Sequence, residues 1–96
     1  AYVMTAEDKL RRQVIQDVMC RLEVDFGAIG SAFGIDFRSH FAESLQSLQP
    51  LAEDGLVEIE PGRIRVTRLG RLFIRNIAMA FDAYTAPKRQ AYSKTV

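Results

Sequence analysis

The rhythm of apolar residues changes abruptly at Gly55, and that change restricts the fold more than any other feature of the chain. Upstream, large apolar side chains recur three and four residues apart, the spacing of a helix face. Downstream, in "LVEIE" and "RIRVT", they alternate with charged residues, which is the period of a half-buried strand. Val57 and Ile59 on one strand, and Ile64 and Val66 on the other, can share a buried face. Pro61-Gly62 between them is a tight-turn pair. Glu58, Glu60, Arg63 and Arg65 then face water and are placed to pair across the strands. A two-stranded hairpin following a run of helices is therefore expected.

The helical part divides into three. Thr5 followed by Asp8 forms a capping arrangement, and Leu10, Val14, Ile15, Val18, Met19 and Leu22 supply the buried stripe of a first helix. Arg11, Arg12, Gln16 and Asp17 fall mostly on its solvated side. Asp25 caps a second helix, "FGAIGSAF", with Phe26, Ile29 and Phe33 on one face and Gly34 as a left-handed C-terminal cap. Asp36 caps a third, in which Phe37, Phe41, Leu45 and Leu48 align. Pro50 ends that run or opens a further turn, because proline has no N–H to continue the ladder. After the hairpin, Thr67 caps a closing helix with apolar residues at Leu69, Phe73, Ile77, Phe81 and Tyr84, and Pro87 lies beyond its end.

Three helices, a two-stranded wing and a closing helix make a mainly α, winged-helix-like domain over residues 1–86, followed by a polar tail over 87–96. A chain of 96 residues holds one core of modest size. In the tail, Tyr92 and Lys94 are expected to fray. The "NIAMAF" stretch reads as core, with Met79 at its flank either buried or part of an apolar docking patch.

Enzymatic chemistry has little to stand on. Cys20 is the only cysteine and lies on the first helix's apolar pattern, so it reads as a small buried hydrophobe. One cysteine makes no disulfide and no multi-cysteine metal site. His40 is also alone, and no phosphate loop, H-E-x-x-H or calcium loop is present. The site expectation is therefore no catalytic, cofactor-binding or metal-binding residue. With 13 Lys+Arg against 12 Asp+Glu, no global field recruits nucleic acid or anionic lipid. A recognition helix "DFRSHFAESLQSLQ" carrying Arg38 as its one arginine, opposed by Glu43, is poorly supplied for phosphate. Arg63, Arg65 and Arg68 are the residues that keep a DNA-binding reading open. No apolar run is long enough for a spanning helix and the start lacks a signal peptide's pattern, so a cytoplasmic protein is expected.

The phrases "VIQDVMCRLEVDF", "FGIDFRSHFAESLQSLQPLAEDGLVEI" and "RVTRLGRLFIRNIAMAFDAY" together resemble the C-terminal domain of oxygen-independent coproporphyrinogen III oxidases. "GRLFIRNIAMAFDAY" is the most specific of them. The resemblance implies an enzyme of haem biosynthesis that oxidatively decarboxylates two propionates of coproporphyrinogen III to give protoporphyrinogen IX. It further implies a [4Fe–4S] cluster on three closely spaced cysteines and S-adenosylmethionine as radical source, both in an N-terminal catalytic barrel. Cys20 does not match those cysteines, so the fragment alone is expected to be inactive and its partner to be the catalytic domain of the same chain. The resemblance also implies that Val96 is a natural C-terminus and Ala1 is not a natural start.

On this resemblance, Arg68, Arg71 and Arg75, with Asn76 nearby, recur at helical spacing along the closing helix. Guanidinium groups pair well with carboxylates, so these residues are candidates to meet a substrate propionate or an acidic patch of the barrel. Their alternative role is a solvated face, or pairing with Glu58 or Glu60 within the domain. The alternative readings of the whole chain are a free-standing winged-helix DNA-binding or protein-interaction module.

Overall fold

A computed structural model describes residues 5–82. The expected tail over 87–96, with Tyr84, Pro87, Tyr92 and Lys94, lies outside the described residues. Thr5 opens helix α1 (Ala6–Gln16) with a reciprocal cap: the Asp8 amide donates to Thr5 Oγ1 and the Thr5 amide to Asp8 Oδ2, each at 3.1 Å. The helix then widens into a π-helical turn, Asp17–Arg21, and ends at Leu22 in the left-handed region (φ 61). Strand β1 (Glu23–Asp25) follows, then α2 (Phe26–Phe33), α3 (Phe37–His40) and α4 (Ala42–Glu53). The hairpin strands are β2 (Val57–Ile59) and β3 (Arg63–Val66). A 3₁₀ turn, Gly70–Phe73, leads into α5 (Ile74–Met79).

The architecture is mainly helical with a small antiparallel sheet, as the change of period requires. The caps at Thr5, Asp25, Gly34 and Asp36 all stand where expected. The sheet, however, has three strands in the order β1-β3-β2 rather than two. Val24 faces Ile64 across β1 and β3, and Ile59 faces Ile64 across β2 and β3. Three residues between a helix end and a helix cap are too few to display alternation, which is why β1 is silent in the sequence. On the exposed side Arg65 reaches Glu58 (3.2 Å) and Glu60 (3.7 Å), and Arg63 reaches Glu60 (3.3 Å) and Glu23 (3.9 Å).

The π turn accounts for two further corrections. Fitting an extra residue into one turn rotates the side chains that follow. Asp17, expected in solvent, is buried and accepts a hydrogen bond from Gln13 Nε2 at 2.9 Å. Cys20, expected in the core, is exposed, and so is Met19. The third helix is also interrupted: Phe41 (φ −109, ψ 31) separates α3 from α4. Hydrogen bonds from Phe41 N to Phe37 O and from Leu45 N to Phe41 O, both 2.9 Å, keep the two segments nearly continuous. The aromatic stripe consequently survives. Pro50 takes the second of its two expected roles, lying inside α4, which runs on to Glu53 and closes at Gly55 (φ 80).

Aromatic rings knit the elements together. Phe37 stacks on Phe26 with centroids 4.4 Å apart and 9° between planes, and lies 4.6 Å from Phe41 and 6.1 Å from Phe81. Phe41 and Phe81 meet edge to face at 5.5 Å. Three of these rings, Phe37, Phe41 and Phe81, are fully buried beside Leu48, Ile64 and Ile77. Around their edge, Glu7 on α1 accepts from Arg11 Nε (2.6 Å) and contacts His40 Nε2 on α3 (2.7 Å). Arg11 also donates to the Phe81 carbonyl at 3.0 Å and lies over the Phe41 ring, 5.3 Å from its centroid.

Burial works to raise the Glu7 carboxyl, but hydrogen bonds and charge from Arg11 and His40 outweigh it and hold Glu7 below its ordinary 4.5. A depressed acid contributes stability that is fully present above its unfolded value and lost as pH falls through the folded one. Glu7→Gln is therefore expected to flatten the acid limb of stability below about pH 4.5. The effect is modest, because water screens this partly exposed group. Urea midpoints of both proteins from about pH 2.5 to about pH 6.5, roughly two units either side of that value, measure it.

Candidate functional site

The closing segment departs most from its expected form. Thr67 Oγ1 accepts from the Gly70 amide at 3.0 Å, and its own proton is directed at the carbonyls of Gly55 (2.6 Å) and Leu56 (3.0 Å). The Thr67 amide donates to Leu56 O at 3.1 Å. Thr67 therefore clamps the start of the segment onto the beginning of β2. Gly70 is buried against the same place: a Cβ there would stand 1.8 Å from Leu56 O and 2.8 Å from its carbon. Only a glycine lets the two backbones approach this closely.

Held in that way, the chain starts with a 3₁₀ turn instead of an α-helix and breaks at Phe73 (φ −121, ψ 29) before α5 begins. A 3₁₀ turn advances about 120° per residue against about 100° in an α-helix, so the two halves of the expected stripe lose register. Ile77 and Phe81 are in the core with Ala78 and Ala80, as "NIAMAF" suggests. Leu69 and Phe73, expected beside them, are not. They are 49% and 44% exposed, and Leu72 between them is 77% exposed. Met79, left open by the sequence, is 44% exposed.

The exposed large apolar side chains are confined to two stretches of the chain. Among the described residues the exposed large hydrophobics are Met19, Leu69, Leu72, Phe73 and Met79. All lie on the closing segment or on the π turn that packs against α5. Met19 and Met79, with Ile15, Ala78, Arg75 and Asp82, line a shallow groove of about 270 Å³ between those elements. Isolated exposed apolar side chains are ordinary on a soluble protein, whereas clustering on adjacent segments is the mark of a contact surface.

The predicted site residues fall on this surface. Arg68 occupies the turn before Gly70, Arg71 the 3₁₀ turn, and Arg75 and Asn76 the helix α5. They are therefore not successive residues of one regular helix. All four are exposed, and no side-chain hydrogen bond or ion pair holds them among the described residues. Glu58 and Glu60, the carboxylates within the domain that could have paired with them, are instead engaged by Arg63 and Arg65. No Asp or Glu occurs between Glu60 and Asp82, so the stretch that carries Leu69, Leu72 and Phe73 is cationic as well as apolar. The helical spacing that singled out the arginines is not kept by the 3₁₀ turn, although all of them are exposed. Sequence reasoning missed Leu69, Leu72 and Phe73 because a helical period assigns two of them to the core.

Other possible sites are weaker. A second depression, about 490 Å³, is lined by Phe26, Gly30, Asp36, Arg38 and Pro61 among others, and Arg38 is directed at the Pro61 carbonyl at 3.5 Å. His40 is occupied by Glu7. The described residues contain no group of three His, Cys, Asp or Glu side chains able to hold a metal, and one cysteine cannot supply three thiolates to a cluster. None of the helices among the described residues is long and apolar enough to cross a membrane.

Comparison with known proteins bears on which partner such a surface would meet. The model of the HemN C-terminal domain family matches residues 4–73. The chain belongs to that family. Outside the family model, the chain is 46% identical over 95 residues to the oxygen-independent coproporphyrinogen III oxidase of Salmonella typhimurium, covering 97% of this chain and 21% of that protein. It is 45% identical over 93 residues to the enzyme of the same name from Thermostichus vulcanus, covering 96% of this chain and 29% of that one. A solved structure of coproporphyrinogen III oxidase (HemN) from Escherichia coli, described as a radical SAM enzyme, superposes with a TM-score of 0.84 at 43% identity. That match covers 86% of this chain and 19% of the other. This HemN C-terminal domain thus spans about a fifth to three-tenths of the length of these relatives.

Proposed function

We propose that this domain is the C-terminal accessory part of an oxygen-independent coproporphyrinogen III oxidase, and that it docks on or covers a catalytic barrel. One observation carries the reading: 97% of the chain matches an enzyme of that name at 46% identity over 95 residues, and the family model that matches is that of a C-terminal domain. In the full enzyme, residues 1–86 would form the accessory unit and 87–96 its tail. The [4Fe–4S] cluster and S-adenosylmethionine would belong to the barrel, where they supply the radical that starts oxidative decarboxylation in the cytoplasm. Cys20 cannot take the place of the cluster's cysteines.

This chain's own contribution is positioning and enclosure. A domain seated over a barrel mouth excludes water from a reactive intermediate. Arg68, Arg71 and Arg75, with Asn76 nearby in the sequence, are unpaired among the described residues and offer donors to carboxylates across the contact, either substrate propionates or acidic side chains of the barrel. The test is made on the polypeptide encoded by the gene that contains this sequence. Its upstream reading frame is expected to carry a C-x-x-x-C-x-x-C triplet, and the anaerobically purified product to convert coproporphyrinogen III to protoporphyrinogen IX. Changing the three arginines to Gln is expected to cut kcat/KM about tenfold or more. A start codon just before Ala1, or an intact product without the decarboxylation, would end the reading.

A further inference from the structure

Resting on that reading of the domain as an accessory unit, we infer that the 3₁₀ turn is its docking knob: Leu69, Leu72 and Phe73 insert into an apolar depression rimmed by carboxylates on the catalytic portion of the same polypeptide, with Arg68, Arg71 and Arg75 meeting that rim. Three observations select this occupant. Leu72 is 77% exposed on a tight turn anchored from behind by Thr67 and Gly70, so it projects outward as a rigid, convex feature. Small-molecule sites are concave, whereas projecting apolar side chains fill pockets on protein partners. The shape therefore favours a protein surface over a carboxylate-bearing substrate.

Charge decides among protein occupants. Arg63 and Arg65 are matched by the glutamates of the sheet, whereas Arg68, Arg71 and Arg75 are unpaired among the described residues, and no acid lies between 61 and 81. The chain's own C-terminal segment, 83–96, carries Lys88, Arg89 and Lys94 and no Asp or Glu. It would add like charge to this face, not neutralise it. A second copy packed through the same face by two-fold symmetry would likewise set arginines against arginines. A carboxylate-rimmed depression on a different part of the polypeptide meets both requirements. The length of the relatives, of which this chain covers 21% and 19%, gives such a polypeptide ample surface outside the domain.

Hydrogen–deuterium exchange on the intact polypeptide tests this, comparing the unaltered protein with Leu72→Glu. Within the domain the Leu72 side chain is exposed, so exchange in its core, at Phe37, Phe41 and Ile64, is expected to stay unchanged and to show that the domain still folds. Leu72→Gln, which alters polarity without adding charge, should give the same pattern and separates lost docking from misfolding. The expected result is at least about threefold faster exchange both in residues 67–76 and in a carboxylate-bearing segment outside residues 1–96. Unchanged exchange outside 1–96 would overturn the proposal. Change confined to 83–96 would assign the knob to the chain's own tail. A concentration-dependent dimer that Leu72→Glu dissociates would assign it to a second copy, and an effect present only with substrate added would assign it to the substrate. Each of those outcomes rejects the docking proposed. Decarboxylase activity of the unaltered polypeptide is assayed separately, so an inactive protein that still shows the expected exchange rejects the enzymatic reading and leaves the docking intact.

Discussion

Replacing Gly70 by alanine is expected to lower the stability of the domain by about 3 kcal/mol or more, although the change adds a single methyl group. The added Cβ would lie 1.8 Å from the Leu56 carbonyl oxygen, far inside van der Waals contact, and the obstructing atom belongs to the backbone. No rotamer change relieves such a clash. Either the 3₁₀ turn or the start of β2 must move. Moving either breaks the Thr67 clamp, which holds Gly55 and Leu56 on one side and the Gly70 amide on the other. For a domain of this size that loss corresponds to a fall in melting midpoint of at least about 12 °C. Gly62→Ala is the matched control. Nothing lies within 4 Å of a Cβ at Gly62, so its effect should stay within about 0.5 kcal/mol. Thermal or urea unfolding of the three proteins decides the matter, and equal midpoints for the two variants would refute the close approach.

Phe37→Ala should be at least as damaging, by a different route. Phe37 is 1% exposed and touches the rings of Phe26, Phe41 and Phe81. Through those rings it joins α2, the junction of α3 with α4, and the end of the closing segment. Truncating a fully buried phenylalanine costs about 3–5 kcal/mol, from lost transfer free energy and the cavity left behind. Domains of this size have total stabilities on the order of 5–15 kcal/mol, so the variant should be largely unfolded or close to it at 37 °C. Leu72→Ala removes a side chain of similar hydrophobicity from the opposite environment and should change stability by less than about 0.5 kcal/mol. Circular dichroism melts give both values. A large loss at Leu72 would show that its side chain is not exposed as described.

Local chemistry carried the legible part of this fold. Capping needs only a polar side chain three residues ahead of an amide, so Thr5, Asp25 and Asp36 announced their helices. The left-handed cap at Gly34 and the turn at Pro61-Gly62 are equally local. Alternation in "VEI" and "RIRV" marked the hairpin and placed its arginines opposite its glutamates. Strand β1 leaves no mark in the sequence because its three residues acquire a pattern only when β3 is there to pair with them. The arginines of the candidate surface stand out by residue type, but the regular helical spacing expected of them is broken at the 3₁₀ turn. The apolar residues between them were assigned to the core.

That assignment shows where the sequence by itself stops. Which segments are helical, where they are capped, where the hairpin turns and to which family the chain is similar all follow from residues close together in the chain. How each helix is wound does not. The π turn at Asp17–Arg21 exchanges Asp17 for Cys20 in the interior, and the 3₁₀ turn at Gly70–Phe73 puts Leu69 and Phe73 outside. Both departures occur where a helix must meet the sheet: Leu22 hands the chain to β1, and Thr67 and Gly70 lean on Leu56 at the start of β2. A gain or loss of one backbone hydrogen-bond step is a small local cost. The contacts that compensate for it lie far away in sequence, so the register of a helix face, and with it the candidate surface, is decided only when the tertiary structure closes.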